Sequence, residues 1–154
     1  MLLPVLRPIA RCPIVLEFEN SVLLIEDDDH HSDLITRTLK RAMPDPDTEI
    51  LHISDGEAAV QFLSCERETI PKLIVLDLKL PKLNGHEVLK MIKSSERLRV
   101  VPVVILTTSL SDTDRHEALA LQANSVLTKS VNFKEFQTML TDMVKYWLRW
   151  NRGY

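Results

Sequence analysis

Five short, mostly apolar runs punctuate the chain, each followed by a stretch in which apolar residues return every three or four positions. The first pattern is that of strands buried in a helix-covered parallel sheet, and the second is that of amphipathic helices. Val22-Leu23-Leu24-Ile25 predicts the first strand, and a helix over about 31–43 follows, with Leu34, Ile35, Thr38, Leu39 and Ala42 on one face. Pro44 and Pro46 end that helix. Residues 49–53 predict a second strand, and Ser54-Asp55-Gly56-Glu57 turns into a helix carrying Ala58, Ala59, Phe62 and Leu63. Leu73-Ile74-Val75-Leu76 is a third strand that runs into Asp77, and Asn84-Gly85 opens a helix reaching about Lys93. Residues 100–106 predict a fourth strand, with Pro102 near its start where a missing N–H is tolerated. A helix over about 112–122, a fifth strand over 125–128 and a long helix over about 132–150 complete the pattern. Five strand–helix alternations predict one α/β domain, a doubly wound five-stranded parallel sheet with helices on both faces and right-handed crossovers.

Residues 1–19 stand outside that pattern. Their apolar residues are broken by Pro4, Pro8 and Pro13 and by Arg7 and Arg11. A span needs about 20 continuous apolar residues, so no membrane segment is expected here, and no signal-peptide centre is evident. The segment reads as a flexible or extended arm before a domain over 20–150.

At 154 residues, 45% apolar and 27% charged, the chain has the size and balance of a single soluble domain. Its net charge of -3 argues against a broad nucleic-acid footprint. Cys12 and Cys65 make no metal or disulfide pattern, and free thiols in a reducing cytoplasm are expected. Three glycines, Gly56, Gly85 and Gly153, cannot build a glycine-rich nucleotide cradle.

Polar residues recur where the strands end: Glu26 and Asp27 after the first, Asp77 after the third, Thr107 after the fourth and Lys129 after the fifth. Any one of them could be a solvated loop residue. In a parallel sheet, however, all five share one edge, which is where ligands bind in open α/β sheets. Three carboxylates without a nearby cysteine suit a hard cation such as Mg²⁺. His30 and His31 read as solvent-facing residues at a helix start. A carboxylate can act as a nucleophile and form an aspartyl phosphate, with a cation, a lysine and a hydroxyl holding the phosphoryl oxygens.

The motifs Ile25-Glu26-Asp27-Asp28, Val75-Leu76-Asp77-Leu78-Lys79-Leu80-Pro81, Val104-Ile105-Leu106-Thr107-Thr108-Ser109 and Thr128-Lys129 resemble those of the receiver domains of two-component response regulators. The resemblance covers about residues 20–148. It implies a flavodoxin-like sheet in the order 2-1-3-4-5. It also implies Asp77 as phosphoacceptor from a phosphohistidine on a sensor histidine kinase. Glu26, Asp27, Asp77 and the backbone carbonyl of Lys79 would hold Mg²⁺, and Thr107 and Lys129 would contact the phosphoryl group. Thr107-Thr108-Ser109, Gln122-Ala123-Asn124-Ser125 and Tyr146-Trp147-Leu148 further resemble single-domain regulators partnered with phytochrome-type kinases.

The chain departs from that family in two places. Ser130 follows the lysine where the family usually has proline, and a cis bond before a non-proline residue costs about 3 kcal/mol. Val126 stands where many receivers carry an aromatic residue whose rotation reports phosphorylation. The family reading implies a phosphoacceptor rather than a turnover enzyme. The alternative of an aspartate-nucleophile phosphatase, as in haloacid dehalogenase-like enzymes, fits poorly, since that family's motif carries a second acid two residues after the nucleophile and Lys79 stands there. A docking module that never takes phosphate is the other alternative, opposed by the complete acid–threonine–lysine set.

No output domain is expected after the fifth helix. Phe133, Phe136, Leu140, Met143, Trp147 and Trp150 form a seam on that helix, spaced by three and four alternately. Phe133 to Leu140 are expected to dock on the sheet. Apolar residues surround the last two turns, so the helix end is expected to project and to pair with a second copy as a homodimer. Lys129 is expected at an exposed strand end, where its loss would cost little stability.

Overall fold

The computed structural model describes residues 20–65 and 70–151. The arm expected at 1–19 lies outside them. In chain order the elements are β1 (Ser21–Ile25), α1 (Asp29–Ala42), β2 (Glu49–Ile53), α2 (Gly56–Ser64), β3 (Leu73–Leu76), α3 (Gly85–Ser94), β4 (Val103–Thr107), α4 (Asp112–Ala120), β5 (Ser125–Thr128) and α5 (Phe133–Lys145). A π-helical turn, Tyr146–Trp150, extends α5. The described strands form one parallel sheet in the order β2-β1-β3-β4-β5. This is the expected doubly wound architecture.

Successive strand residues point to opposite faces, and both faces are dry. Leu23, Ile25, Ile74, Leu76, Val103 and Ile105 pack with Ala59, Leu63, Val88, Leu89 and Ile92 from α2 and α3. Val22, Leu24, Val75, Val104 and Leu106 pack with Ile35 and Leu39 of α1 and with Phe136, Leu140 and Val144 of α5. Fully burying each such side chain stabilises the fold by roughly 1.5–3 kcal/mol before chain entropy is counted. Continuous apolar strands and striped helices are what this double covering requires.

Polar punctuation sets the helix starts. Asp28, Asp55, Ser111 and Asn132 each accept a backbone N–H in the first turn of the following helix, and Asn84 forms a reciprocal capping box with Glu87. Gly85 is required by packing rather than by a turn. A methyl group there would stand 2.6 Å from Leu78 Cα and collide with the Asp77 carbonyl. The start of α3 therefore lies directly against the backbone of the site strand, and Gly85 N–H donates to the Leu78 carbonyl at 2.9 Å. The segment Gln122-Ala123-Asn124-Ser125 also serves the fold. Gln122 takes a left-handed conformation (φ 69°), and Asn124 Oδ1 accepts from Val103 N–H at 2.9 Å and from Lys93 Nζ at 3.0 Å.

The expected elements shift in detail. β4 begins at Val103 rather than 100 because Leu98 to Pro102 form a turn whose last carbonyl accepts from Ile74 N–H at 3.0 Å. The end of the chain needs a larger correction. The expected helix over about 132–150 is present, but its α-helical part ends at Lys145 and its last turn, Tyr146–Trp150, is π-helical. Met143 and Val144 are buried against this chain's own core, and Trp147 and Leu148 pack partly on it. The helix end therefore does not project as a free cylinder. Within the π turn, Trp147 and Leu148 lie over the domain and Tyr146 and Trp150 are in solvent. Phe133, expected on the sheet, is also exposed.

Candidate functional site

Register decides which strand ends meet. Ile25 pairs with Ile53 and with Leu76, and Thr107 pairs with Thr128, so Glu26, Asp77, Thr107 and Lys129 emerge side by side at the carboxyl edge. Backbone hydrogen bonds extend the ladder one step past the strands: Glu26 N–H to the Ile53 carbonyl at 3.0 Å, Asp77 N–H to Ile25 at 3.0 Å and Lys129 N–H to Thr107 at 2.8 Å. All four side chains are buried, with exposures of 1% for Glu26, 6% for Asp77, 2% for Thr107 and 8% for Lys129. Asp27 is exposed on the solvent side of the same cluster.

Lys129 was expected in solvent. Instead its ammonium donates to Glu26 Oε2 at 2.6 Å and to Asp77 Oδ2 at 2.7 Å. The other Asp77 oxygen, Oδ1, accepts from Lys79 N–H at 3.0 Å. Glu26 Oε1 accepts from Asp28 N–H at 3.2 Å, and Thr107 Oγ1 accepts from Ser109 N–H at 3.1 Å. These bonds explain how charged groups are tolerated at the end of an apolar sheet: each buried oxygen or ammonium has a partner.

One ammonium cannot neutralise the cluster. Glu26, Asp27 and Asp77 each bring a carboxylate oxygen within 4.8 Å of the others. Burial pushes the Glu26 carboxyl above its ordinary value, and the hydrogen bond and charge of Lys129 only partly oppose this. Burial pushes the Lys129 ammonium down, but its bonds and charge attraction to Asp77 and Glu26 outweigh that and hold it above the ordinary lysine value. The site is thus an oxygen-rich pocket with unbalanced negative charge, a donor set that fits a hard divalent cation.

Three further residues join the picture. His31 does not simply face solvent: its Nδ1 lies 3.4 Å from Lys129 Nζ and 3.8 Å from Glu26 Oε1. His30, by contrast, is exposed as expected. His52, on the edge strand β2, places Nε2 at 2.7 Å from the Glu26 carbonyl. Sequence reasoning passed over His52. Nothing in Glu49-Ile50-Leu51-His52-Ile53 marks it, because its partner is a backbone carbonyl on the neighbouring strand. Ser109 Oγ donates to Asp114 Oδ2 at 2.5 Å, which ties the loop after Thr107 to α4. Among the described residues every peptide bond is trans, Lys129–Ser130 included.

Comparison with known proteins leads to the same edge. Residues 22–141 match the model of the response regulator receiver domain. The chain is 43% identical over 144 residues to the probable methanogenesis regulatory protein FilR2 of Methanothrix harundinacea, covering 90% of this chain and 92% of that protein. It is 40% identical over 131 residues to the response regulator Rcp1 of Synechocystis, covering 82% of this chain and 88% of Rcp1. The Mn²⁺-bound structure of Rcp1 superposes with a TM-score of 0.80, covering 88% of this chain and 99% of that one at 37% identity. The phosphorylated cyanobacterial phytochrome response regulator RcpA also gives 0.80, covering 86% and 96% at 33% identity. With the strand order, the acidic edge and the match over 22–141 in agreement, this chain belongs to the response regulator receiver domain family.

Proposed function

We propose that Asp77 accepts a phosphoryl group from a phosphohistidine on a sensor histidine kinase, and that phosphorylation changes which proteins this regulator contacts. One observation carries the reading: a buried aspartate at the carboxyl end of the central strand is bonded to a buried lysine and faces two further acids. An oxygen of Asp77 attacks phosphorus, the P–N bond breaks and the imidazole leaves. Lys129 stands one hydrogen bond from the attacking carboxylate, where its ammonium can pass to the phosphoryl oxygens. Thr107 Oγ1 accepts from Ser109 N–H and so keeps its own O–H for donation to the phosphoryl group. Glu26, Asp27, Asp77 and the backbone carbonyl of Lys79 would hold Mg²⁺, which when bound neutralises charge on the transferring group. The protein is then a phosphoacceptor and not a turnover enzyme.

The likeness to the cyanobacterial phytochrome response regulator RcpA supports a phytochrome-type kinase as donor. Exposed Leu110, Val131 and Phe133 flank the carboxyl edge and supply an apolar surface for such a partner. A groove of about 920 Å³ beside α5, lined by Leu127, Met139, Tyr146 and Trp147 among others, supports a homodimer through the C-terminal helix. The net charge of -3 supports a protein partner over nucleic acid, and we place the regulator in the cytoplasm with its kinase's phosphohistidine. No helix among the described residues is long and apolar enough to cross a membrane.

Incubation with acetyl phosphate and Mg²⁺ is expected to add one hydroxylamine-sensitive phosphoryl group, and Asp77→Asn is expected to abolish it. Labelling that persists in the variant, or proceeds equally with a chelator, overturns the assignment. Phosphotransfer from a purified phytochrome kinase, compared with other kinases of the host, tests the donor.

A further inference from the structure

We infer that His52 is a positioning residue for the divalent-cation site, acting through the backbone of Glu26; the inference rests on the phosphoacceptor reading above. Ile25 and Ile53 are the last register pair between β1 and β2. Beyond it, the chain must leave the sheet while still presenting two adjacent acids to one point. Glu26 is held on both sides of its Cα. Its N–H donates to the Ile53 carbonyl at 3.0 Å, and its carbonyl lies 2.7 Å from His52 Nε2.

A carbonyl oxygen only accepts, so His52 Nε2 carries the proton in this bond. The peptide unit is planar, so fixing the Glu26 carbonyl also fixes the N–H and Cα of Asp27. The two bonds together hold φ and ψ at Glu26, and with them the point from which each of the two acidic side chains starts. Asp27 needs this constraint most: it is exposed, yet its carboxylate oxygen must lie within 4.8 Å of those of Glu26 and Asp77. Glu26 is also anchored by Lys129 at 2.6 Å. The imidazole lies on an edge strand outside the buried core, so its role in packing is small. Partners that orient metal ligands from behind typically change metal affinity 10- to 100-fold when removed.

The test compares His52→Phe, which keeps a ring and removes the donor, with His52→Gln, which keeps an N–H donor and removes the ring. Mn²⁺ binding is measured by electron paramagnetic resonance and Mg²⁺ binding by competition, with urea denaturation confirming the folded fraction of each variant. His52→Phe is expected to weaken Mn²⁺ binding by about tenfold. His52→Gln is expected to stay close to wild type. Unchanged affinity in His52→Phe, or equal losses in both variants, overturns the role of His52 while leaving the phosphoacceptor reading intact. A folded wild-type protein that binds neither ion overturns that reading and this inference with it.

Discussion

Lys129 and Asp77, fifty-two residues apart, meet as buried ammonium and carboxylate at 2.7 Å at the carboxyl edge of the sheet. The same ammonium reaches Glu26 at 2.6 Å. The bond is both a structural tie between β3 and β5 and the proposed reservoir of the charge that meets the phosphoryl group.

Lys129→Ala is therefore expected to destabilise the protein as well as alter its response. Removing one partner of a buried ion pair costs about 3–5 kcal/mol, because the remaining charge stays buried. The lower end of that range is expected, since the Asp27 side of the pocket opens to water. Adding Asp77→Asn to Lys129→Ala is expected to recover part of the loss. Urea denaturation in the presence of a chelator measures both. A loss below about 1 kcal/mol would show that the pair is not closed to solvent.

Gly85→Ala tests the contact between α3 and the site strand. The added methyl would collide with backbone atoms of Asp77 and Leu78, which cannot swing aside as a side chain can. A loss of about 1–3 kcal/mol is expected, as for other overpacked positions, together with slower phosphorylation of Asp77. Chemical denaturation and acetyl-phosphate labelling check the two effects, and wild-type behaviour in both would mean that α3 has room to shift.

Asp55 predicts a pH effect of definite sign. Its carboxylate accepts from Ala58 N–H at 2.7 Å and pairs with Lys82 at 3.0 Å, and these bonds hold it below the ordinary value of 3.8. A depressed carboxylate contributes stability that is present above 3.8 and lost as pH falls through the lower folded value. Asn at this position still caps α2 but does not titrate. The stability difference between wild type and Asp55→Asn is thus expected to shrink as pH falls from 3.8 through the lower folded value. A difference that is constant across the acid range would remove Asp55 from the acid response.

Tyr146 and Trp150 are the residues through which to test the proposed dimer. Both are exposed, while Trp147 packs partly on the core, so changing Trp147 would confound assembly with folding. Tyr146→Ala combined with Trp150→Ala is expected to shift sedimentation toward monomer and to cost about 0.5–1.5 kcal/mol of stability, through the lost edge-to-face contact of Tyr146 with Trp147. A wild-type protein that sediments as a monomer at high concentration, phosphorylated or not, would sink the homodimer.

Much of the fold was legible along the chain because its cause is local. Leu73 to Leu76 are apolar at every position, so the strand has to be covered on both faces, and Asn84 with Glu87 marks the start of α3 within four residues. Glu26, Asp27, Asp77, Thr107 and Lys129 group together from the chain alone, since parallel strands send their ends to one edge. The state of those residues was not legible. Whether Lys129 lies in water or between two carboxylates depends on the register of β4 with β5 and on how far each side chain reaches across the edge. His52 was silent for the same reason, as its partner is a carbonyl on another strand. Met143 and Val144 looked like surplus apolar surface because helical spacing shows a face and not what covers it. Periodicity along one chain determines which elements form and which residues reach the site edge. Only the tertiary structure decides burial and pairing at that edge, because those depend on distances between residues that the sequence keeps far apart.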